Sequence, residues 1–292
     1  MYVDSSIKEK KLLAPKIVVK DIEKGFATSK GTLQVIGGIN FSVRDGEAVA
    51  IVGPSGCGKT TLVNILAGFE RPDRGQVLID GVVRKGPSPN GILISQQGSI
   101  FPWLTVRQNM MFGLGGGYEK SALADRYLAM VGLKGFENAY PHELSGGMLK
   151  RAEIVRALVV KPGILYMDEP FSALDALMSL HVRLELLRIL EKERHTVLLI
   201  THDIEEAIHM ADRVLVLSQR PATIKASFEI PFEHPRDISS PEAQDVKRLI
   251  LRELGLADRQ GPDRPKLGIT TTIGLSVPSA QKITSYDLQT PN

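Results

Sequence analysis

Short apolar runs separated by glycine-rich or polar turns alternate, after residue 46, with stretches whose apolar positions recur at three- and four-residue steps. That alternation predicts a mostly parallel sheet flanked by helices, an α/β fold. The strand runs are Ala48 to Val52, Gly91 to Ile94, Ile164 to Met167, Thr196 to Ile200 and Val214 to Leu217, each continuous enough to be buried on both faces. Ahead of them, Lys16 to Lys20, Leu33 to Ile36 and Ile39 to Val43 are separated by Gly and polar turns and predict short antiparallel strands in a side sheet. Residues from about 100 to 158 lack strand signals and contain helical runs at 122–130 and 148–159, so a helical insert interrupts the sheet. Between Asp175 and Arg194, Leu177, Leu180, Leu184, Leu187 and Leu190 predict one core-facing helical stripe. The single tryptophan, Trp103, is expected in the core of the insert.

The first strand of the alternation runs into Gly53-Pro54-Ser55-Gly56-Cys57-Gly58-Lys59-Thr60-Thr61, which fits the phosphate-loop pattern G-x-x-x-x-G-K-[ST]. Its glycines let the backbone N–H groups point inward, Lys59 reaches the outer phosphates of a triphosphate, and Thr60 offers a hydroxyl to Mg²⁺. The helix that follows adds its dipole. A glycine-rich turn that binds nothing is the plain alternative, and the β run before the loop and the helical run Leu62 to Ala67 after it argue against that.

Composition narrows the class. The 292 residues are 43% hydrophobic and 24% charged, enough for one large or two small domains. A net charge of +3 and the lack of a basic stripe interleaved with aromatics give no support for nucleic-acid binding, and none is expected. One cysteine, Cys57, excludes an internal disulfide or a cysteine-ligated cluster; inside the phosphate loop it reads as a small side chain that fits rather than a redox switch. No run approaches a membrane span or a signal-peptide core, so the chain is expected in the cytoplasm, reaching a membrane only through a partner.

Three further elements carry chemistry. The strand at 164–167 delivers Asp168 and Glu169 at its end, the edge where parallel sheets bind ligands. Asp168 is placed to meet the Mg²⁺ held by Thr60, and Glu169 to polarise a water in line with the terminal phosphate. The strand at 196–200 delivers Thr201-His202-Asp203 to the same edge, where His202 can reach that phosphate. Finally, Leu144-Ser145-Gly146-Gly147-Met148 precedes a helical run. Ser145 suits an N-cap, and Gly146 and Gly147 allow an anion to approach the helix start, although a plain turn and cap would look the same.

With these residues in this order, the chain resembles the ATP-binding subunit of an ATP-binding cassette (ABC) transporter across about residues 16 to 255. The elements that match are the phosphate loop, Gln96, the signature at 144–148, Asp168-Glu169, the turn Ser172-Ala173-Leu174-Asp175, and His202. The resemblance implies a P-loop ATPase core with an N-terminal antiparallel β subdomain and an inserted α-helical signature subdomain. Residues 1–15 and 258–292 would be flexible tails around a nucleotide-binding domain at 16–257. It implies ATP and Mg²⁺ as ligands, with Glu169, His202 and Gln96 as catalytic residues and Thr60, Gln96 and Asp168 around the metal. Phe26 would stack on adenine, and Asp175 would help couple two sites. The signature would close on ATP bound by a second copy, giving a head-to-tail dimer. Two membrane permease subunits, served by an extracytoplasmic binding protein, would hold the dimer at the cytoplasmic face of the membrane. Gln97 beside it leaves a one-residue ambiguity; Pro102-Trp103-Leu104-Thr105 follows at a distance resembling the importers for nitrate, taurine and sulfonates, and that resemblance selects Gln96.

Met148, Pro170 to Leu177, Ala211 to Val214, Arg220-Pro221 and Pro235-Arg236-Asp237 resemble the importers for nitrate, sulfonates and taurine. Ser95, Leu149-Lys150 and Glu153-Ile154-Val155 depart from that pattern. A soluble cassette ATPase acting on ribosomes or DNA is the alternative, disfavoured by the single cassette and the lack of a coiled-coil insert. A cassette that binds ATP without turnover would be expected to lose Glu169 or His202, and both are present.

Overall fold

The computed structural model describes residues 15–96, 98–114 and 118–256, and the backbone of 271–272. The chain opens with a long hairpin, β1 (Pro15–Thr28) and β2 (Gly31–Arg44), followed by β3 (Ala48–Val52), the phosphate loop and α1 (Lys59–Ala67). Strands β4 (Arg74–Ile79), β5 (Val82–Val83) and β6 (Gly91–Ile94) come next. The insert holds α2 (Val106–Met111), α3 (Tyr118–Met130), a 3₁₀ turn at Pro141–Glu143 and α4 (Gly146–Val159). The chain returns through β7 (Ile164–Asp168), α5 (Ala176–Glu193), β8 (Thr196–Ile200), α6 (Ile204–Met210), β9 (Arg213–Leu217), β10 (Ile224–Glu229), α7 (Pro241–Glu253) and β11 (Thr271–Thr272).

Two sheets result. The central one runs β11-β10-β9-β3-β8-β7-β6, parallel from β9 to β6 and antiparallel at β10 and β11; the side sheet, β2-β1-β4-β5, is antiparallel. Period-2 alternation divides the buried strands between two cores. Val49, Ile51, Ile164, Tyr166, Leu198, Ile200, Leu215 and Leu217 join α1 and the side sheet in one. Ala50, Val52, Leu165, Met167, Val197, Leu199, Val214 and Val216 face the insert and helices α4 to α7 in the other. Continuous apolar runs are therefore required, since neither face meets water.

The structure corrects several expectations. The antiparallel strands at the N-terminus are not short: bulges between Val19 and Ile22 and again near Ile22 and Lys24 let β1 and β2 pair from Pro15↔Arg44 to Thr28↔Gly31. Pro15, placed in the N-terminal tail by sequence, is the first residue of β1; residues 1–14 lie outside the described residues. So does the predicted C-terminal tail, apart from Thr271 and Thr272, which pair with Phe228 and Ser227. Leu187 and Leu190 of the expected stripe are buried, but Leu177 and Leu180 are 83% and 42% exposed, and Ser179, Val182, Leu186 and Ile189 complete the buried side of α5. Its leucines occupy more than one face, and the core takes the stripe one step on. Trp103 is 68% exposed and meets Phe101 in a tilted ring pair with 5.4 Å between centroids, outside the insert's core.

Candidate nucleotide site

Because β6, β7, β8 and β3 run parallel, their C-terminal ends open on one edge, and the segments leaving them converge there. At the phosphate loop, Gly58 has φ +119°, and a Cβ there would come within 2.7 Å of Val35 Cγ1, so the turn into α1 admits only glycine. No side chain caps the start of α1 and no acidic residue lies in its first turn, leaving its N–H groups for an anion. Lys59 is buried and donates from Nζ to the carbonyls of Gly53 (2.9 Å) and Pro54 (3.2 Å), so its ammonium sits inside the loop. Cys57 is buried against the loop, and burial pushes its thiol up, against the lowering influence of Lys59 and Arg220. A protonated, enclosed thiol agrees with the packing reading rather than the redox one.

Asp168 closes β7 at 3% exposure. Burial raises its carboxyl, while a hydrogen bond from the Thr60 side chain and the charge of Lys59 pull it back down. A hydroxyl and a carboxylate in contact form an oxygen donor pair of the kind Mg²⁺ takes alongside phosphate oxygens and water. Among the described residues no group of three or more His, Cys, Asp or Glu could cage a metal without such help. Thr60 and Asp168 therefore fit Mg²⁺ in company with a phosphate.

Glu169 has φ 49°, and its N–H donates to the Ile200 carbonyl at 2.8 Å, which fixes the turn. One carboxylate oxygen accepts from Gln96 Nε2 at 3.1 Å and the other lies 3.2 Å from His202 Nδ1. The three residues proposed as catalytic from sequence thus lie together, Gln96 hydrogen-bonded to Glu169 and His202 within ion-pair distance of it; Gln97 lies outside the described residues. Phe26, on β1, is 39% exposed opposite Leu33, with Lys24 Nζ 5.2 Å from its ring centroid. An open ring face near the hairpin suits stacking.

The signature lies apart from this group. Ser145 Oγ accepts from the Met148 N–H at 3.3 Å and caps α4. A Cβ on Gly147 would meet Leu174 at 3.3 Å, so the signature rests on the turn before Asp175. Asp175 in turn caps α5 through the Met178 N–H at 3.0 Å. Among the described residues no hydrogen bond or ion pair joins 145–147 to 53–61. Sequence reasoning missed two cations. Arg220 lies with a guanidinium nitrogen 3.5 Å from where a Gly56 Cβ would be, and Lys150 bonds the Ser95 carbonyl at 2.7 Å. Their only sequence signals were the Arg220-Pro221 pair and a departure after the signature.

Comparison with known proteins places this geometry. The family model described as "ABC transporter" matches residues 36–172. An uncharacterized ABC transporter ATP-binding protein of Methanocaldococcus jannaschii is 41% identical over 258 residues, spanning 87% of this chain and 97% of that protein. The chain belongs to the ABC transporter ATP-binding proteins. It is an ABC-type ATPase with the α/β cassette fold anticipated from its motifs. The cassette is also 38% identical over 239 residues to an aliphatic sulfonates import ATP-binding protein of Bacillus cereus, covering 81% of this chain and 95% of that one. Among solved structures, a dimeric cassette in a post-hydrolysis state bound to ADP and phosphate matches 74% of this chain and all of its own at a TM-score of 0.66 and 27% identity. A second dimeric structure of a bacterial ABC transporter cassette matches at 0.67 and 28%.

Proposed function

We propose that this cassette, a nucleotide-binding domain over residues 16–257, hydrolyses ATP to power uptake of a small anion of the nitrate, sulfonate or taurine type through two membrane permease subunits. The observation that carries the hydrolytic part is Glu169 held between Gln96 and His202 on the edge that also presents Lys59. Lys59 leaves the Gly53 and Pro54 carbonyls for the outer phosphates. Thr60 and Asp168 would hold Mg²⁺, which would supply charge neutralisation at those oxygens. Glu169 takes a proton from a water that Gln96 and His202 orient; the water oxygen bonds the terminal phosphorus as the bond to the β-phosphate oxygen breaks, leaving ADP and phosphate. Phe26 stacks on the adenine.

Ser145, Gly146 and Gly147 seat the terminal phosphate of ATP bound by a second copy, and Asp175 couples the two sites across a head-to-tail interface. Their openness in the single chain supports that reading, as do the dimers among related structures. Attachment to the permease at the cytoplasmic face is supported by an apolar ledge beside the glutamine segment, where Phe101 makes tilted ring contacts with Trp103 and, at 4.6 Å, with Phe112, the latter two about two-thirds exposed. No helix among the described residues is long and apolar enough to cross a membrane. An extracytoplasmic binding protein delivers the solute. The class of solute rests on likeness to the sulfonate import protein. Uptake of labelled taurine, an alkanesulfonate and nitrate in a deletion strain tests it: loss of one of these uptakes, restored by the parent gene but not by Glu169→Gln, is expected, and unchanged uptake of all three overturns it.

A further inference from the structure

We propose that Lys150 and Glu153 form a clasp through which the signature helix α4 positions Gln96 against Glu169. The clasp rests on the hydrolytic reading of Gln96 and Glu169 given above. Positions 150, 153 and 156 repeat at three-residue steps and so share one side of α4, whose first residues are the signature. Lys150 Nζ donates to the carbonyl of Ser95, immediately before Gln96, at 2.7 Å. The same ammonium pairs with Glu153 Oε2 at 3.0 Å, and Glu153 Oε1 accepts from Ser99 Oγ at 2.7 Å. Arg156 donates to the same Ser99 hydroxyl at 2.5 Å and lies 5.0 Å over the Phe101 ring. One helix side therefore grips the glutamine segment on both arms, at residue 95 before Gln96 and at 99 and 101 after it.

The Lys150 and Glu153 side chains are 6% and 3% exposed. Apolar side chains of similar volume commonly serve stability as well as a buried ion pair does, so stability alone does not call for charge here. What charge adds is direction. A satisfied polar network fixes one relative placement of helix and loop, whereas apolar contacts tolerate sliding. With Ser95 held by Lys150, a tilt of the signature helix is carried one residue to Gln96 and through its amide to the Glu169 carboxylate. Seating of a second copy's nucleotide on Ser145 and Gly147 would thereby set the geometry of the water-orienting pair in the same chain. Lys150 and Glu153 are positioning residues: neither touches the reacting atoms.

The test uses the full chain. Removing Lys150 alone strands Glu153 in the core, so the working variant is Lys150→Met with Glu153→Leu, and Ser99→Ala is a second variant that removes no charge. For the paired variant the expected result is a roughly tenfold fall in kcat with KM for ATP within about twofold, because small misplacements of catalytic groups cost rate before they cost binding. Its melting temperature should stay within about 3 °C of the parent, or rise. Ser99→Ala should lose roughly threefold in kcat, and Lys150→Arg, which keeps the donor, should recover most of the rate. In a Gln96→Ala background neither the paired change nor Ser99→Ala should lower kcat further. Parental kcat in the paired variant and Ser99→Ala, or losses that multiply with that of Gln96→Ala, overturn the clasp. Steady turnover by Glu169→Gln would instead overturn the hydrolytic reading beneath it.

Discussion

Lys59 and Asp168 are 7% and 3% exposed and hydrogen-bonded to their neighbours, whereas Ser145, Gly146 and Asp175 lie in the open, and Ser145 and Asp175 cap only their own helices. The first region satisfies its charges within one chain, and the second presents helix starts whose hydrogen bonds, among the described residues, are those of their own caps. We propose the enclosed cation and carboxylate as the seat for phosphate and metal, and the exposed helix start as a clamp for the nucleotide of a second copy. Leu177, 83% exposed two residues after Asp175, adds an apolar surface to the open side. The contrast argues that one region holds nucleotide and the other finishes the site of a second copy.

The largest expected effect is at the enclosed edge. Glu169→Gln should lower ATP turnover by about 10²- to 10⁴-fold, the usual share of a general base, while leaving ATP binding intact and accumulating a dimer. Turnover and light scattering read both, and steady hydrolysis would remove Glu169 from the role of base. Next, Ser145→Arg should cost roughly 10²-fold in hydrolysis by blocking the open clamp. Nucleotide affinity of the single chain should stay within about twofold, read by equilibrium titration with a fluorescent ATP analogue; a large loss of affinity would mean that the signature belongs to its own phosphate loop. A smaller effect is expected from Leu177→Ser, which should weaken ATP-dependent dimerisation about tenfold, the worth of one partly buried leucine. Unchanged dimerisation would take Leu177 out of the interface.

The smallest effect lies behind both regions and separates fold from site. His209 and His234 are held down at about 4, chiefly by burial and then by the charges of Arg183 and Arg236 on His209 and Arg236 on His234, with Asp212 acting in the other direction on His234. Each binds its proton more weakly folded than unfolded, so stability is lost as pH falls from about 6.5 towards 4. Glu206, pushed up to about 6 by burial, works in the opposite sense between its ordinary 4.5 and 6. Replacing both histidines by Gln should make the fall in melting temperature across that window shallower by roughly 5 °C, with ATPase activity at neutral pH unchanged. A slope equal to the parent's would show that the two imidazoles are not what titrates.

Much of the enclosed edge could be read in the sequence, because each of its parts is a contiguous strand-to-loop segment: 48–61, 164–169 and 196–203. Parallel pairing alone then brings Lys59, Asp168, Glu169 and His202 together. Side-chain placement on amphipathic helices was less legible. On α5 two leucine-bearing stripes satisfy the same three- and four-residue spacing, and only packing decides that Val182 and Leu186 go inward while Leu177 and Leu180 face out. Trp103 shows the same limit, since an aromatic in an apolar insert can fill a core or form a ledge. Strand β4 begins Arg74-Gly75 and so looks like a turn, yet Gly75 is there because a Cβ would press within 2.3 Å of the Asp21 and Lys20 carbonyls of β1. The grip of Lys150 on Ser95 joins residues 55 positions apart, and its one trace in the sequence is the departure at Leu149-Lys150 after the signature.

Mixing two inactive chains tests the composite site most directly. Lys59→Ala removes the phosphate seat of one chain, and Ser145→Arg removes the clamp of the other. In their head-to-tail heterodimer one site carries both defects and the other carries neither. ATPase activity well above that of either variant alone, rising with the product of the two concentrations, is the predicted result. Activity no greater than the sum of the separate variants at every ratio would contradict a site shared between two copies.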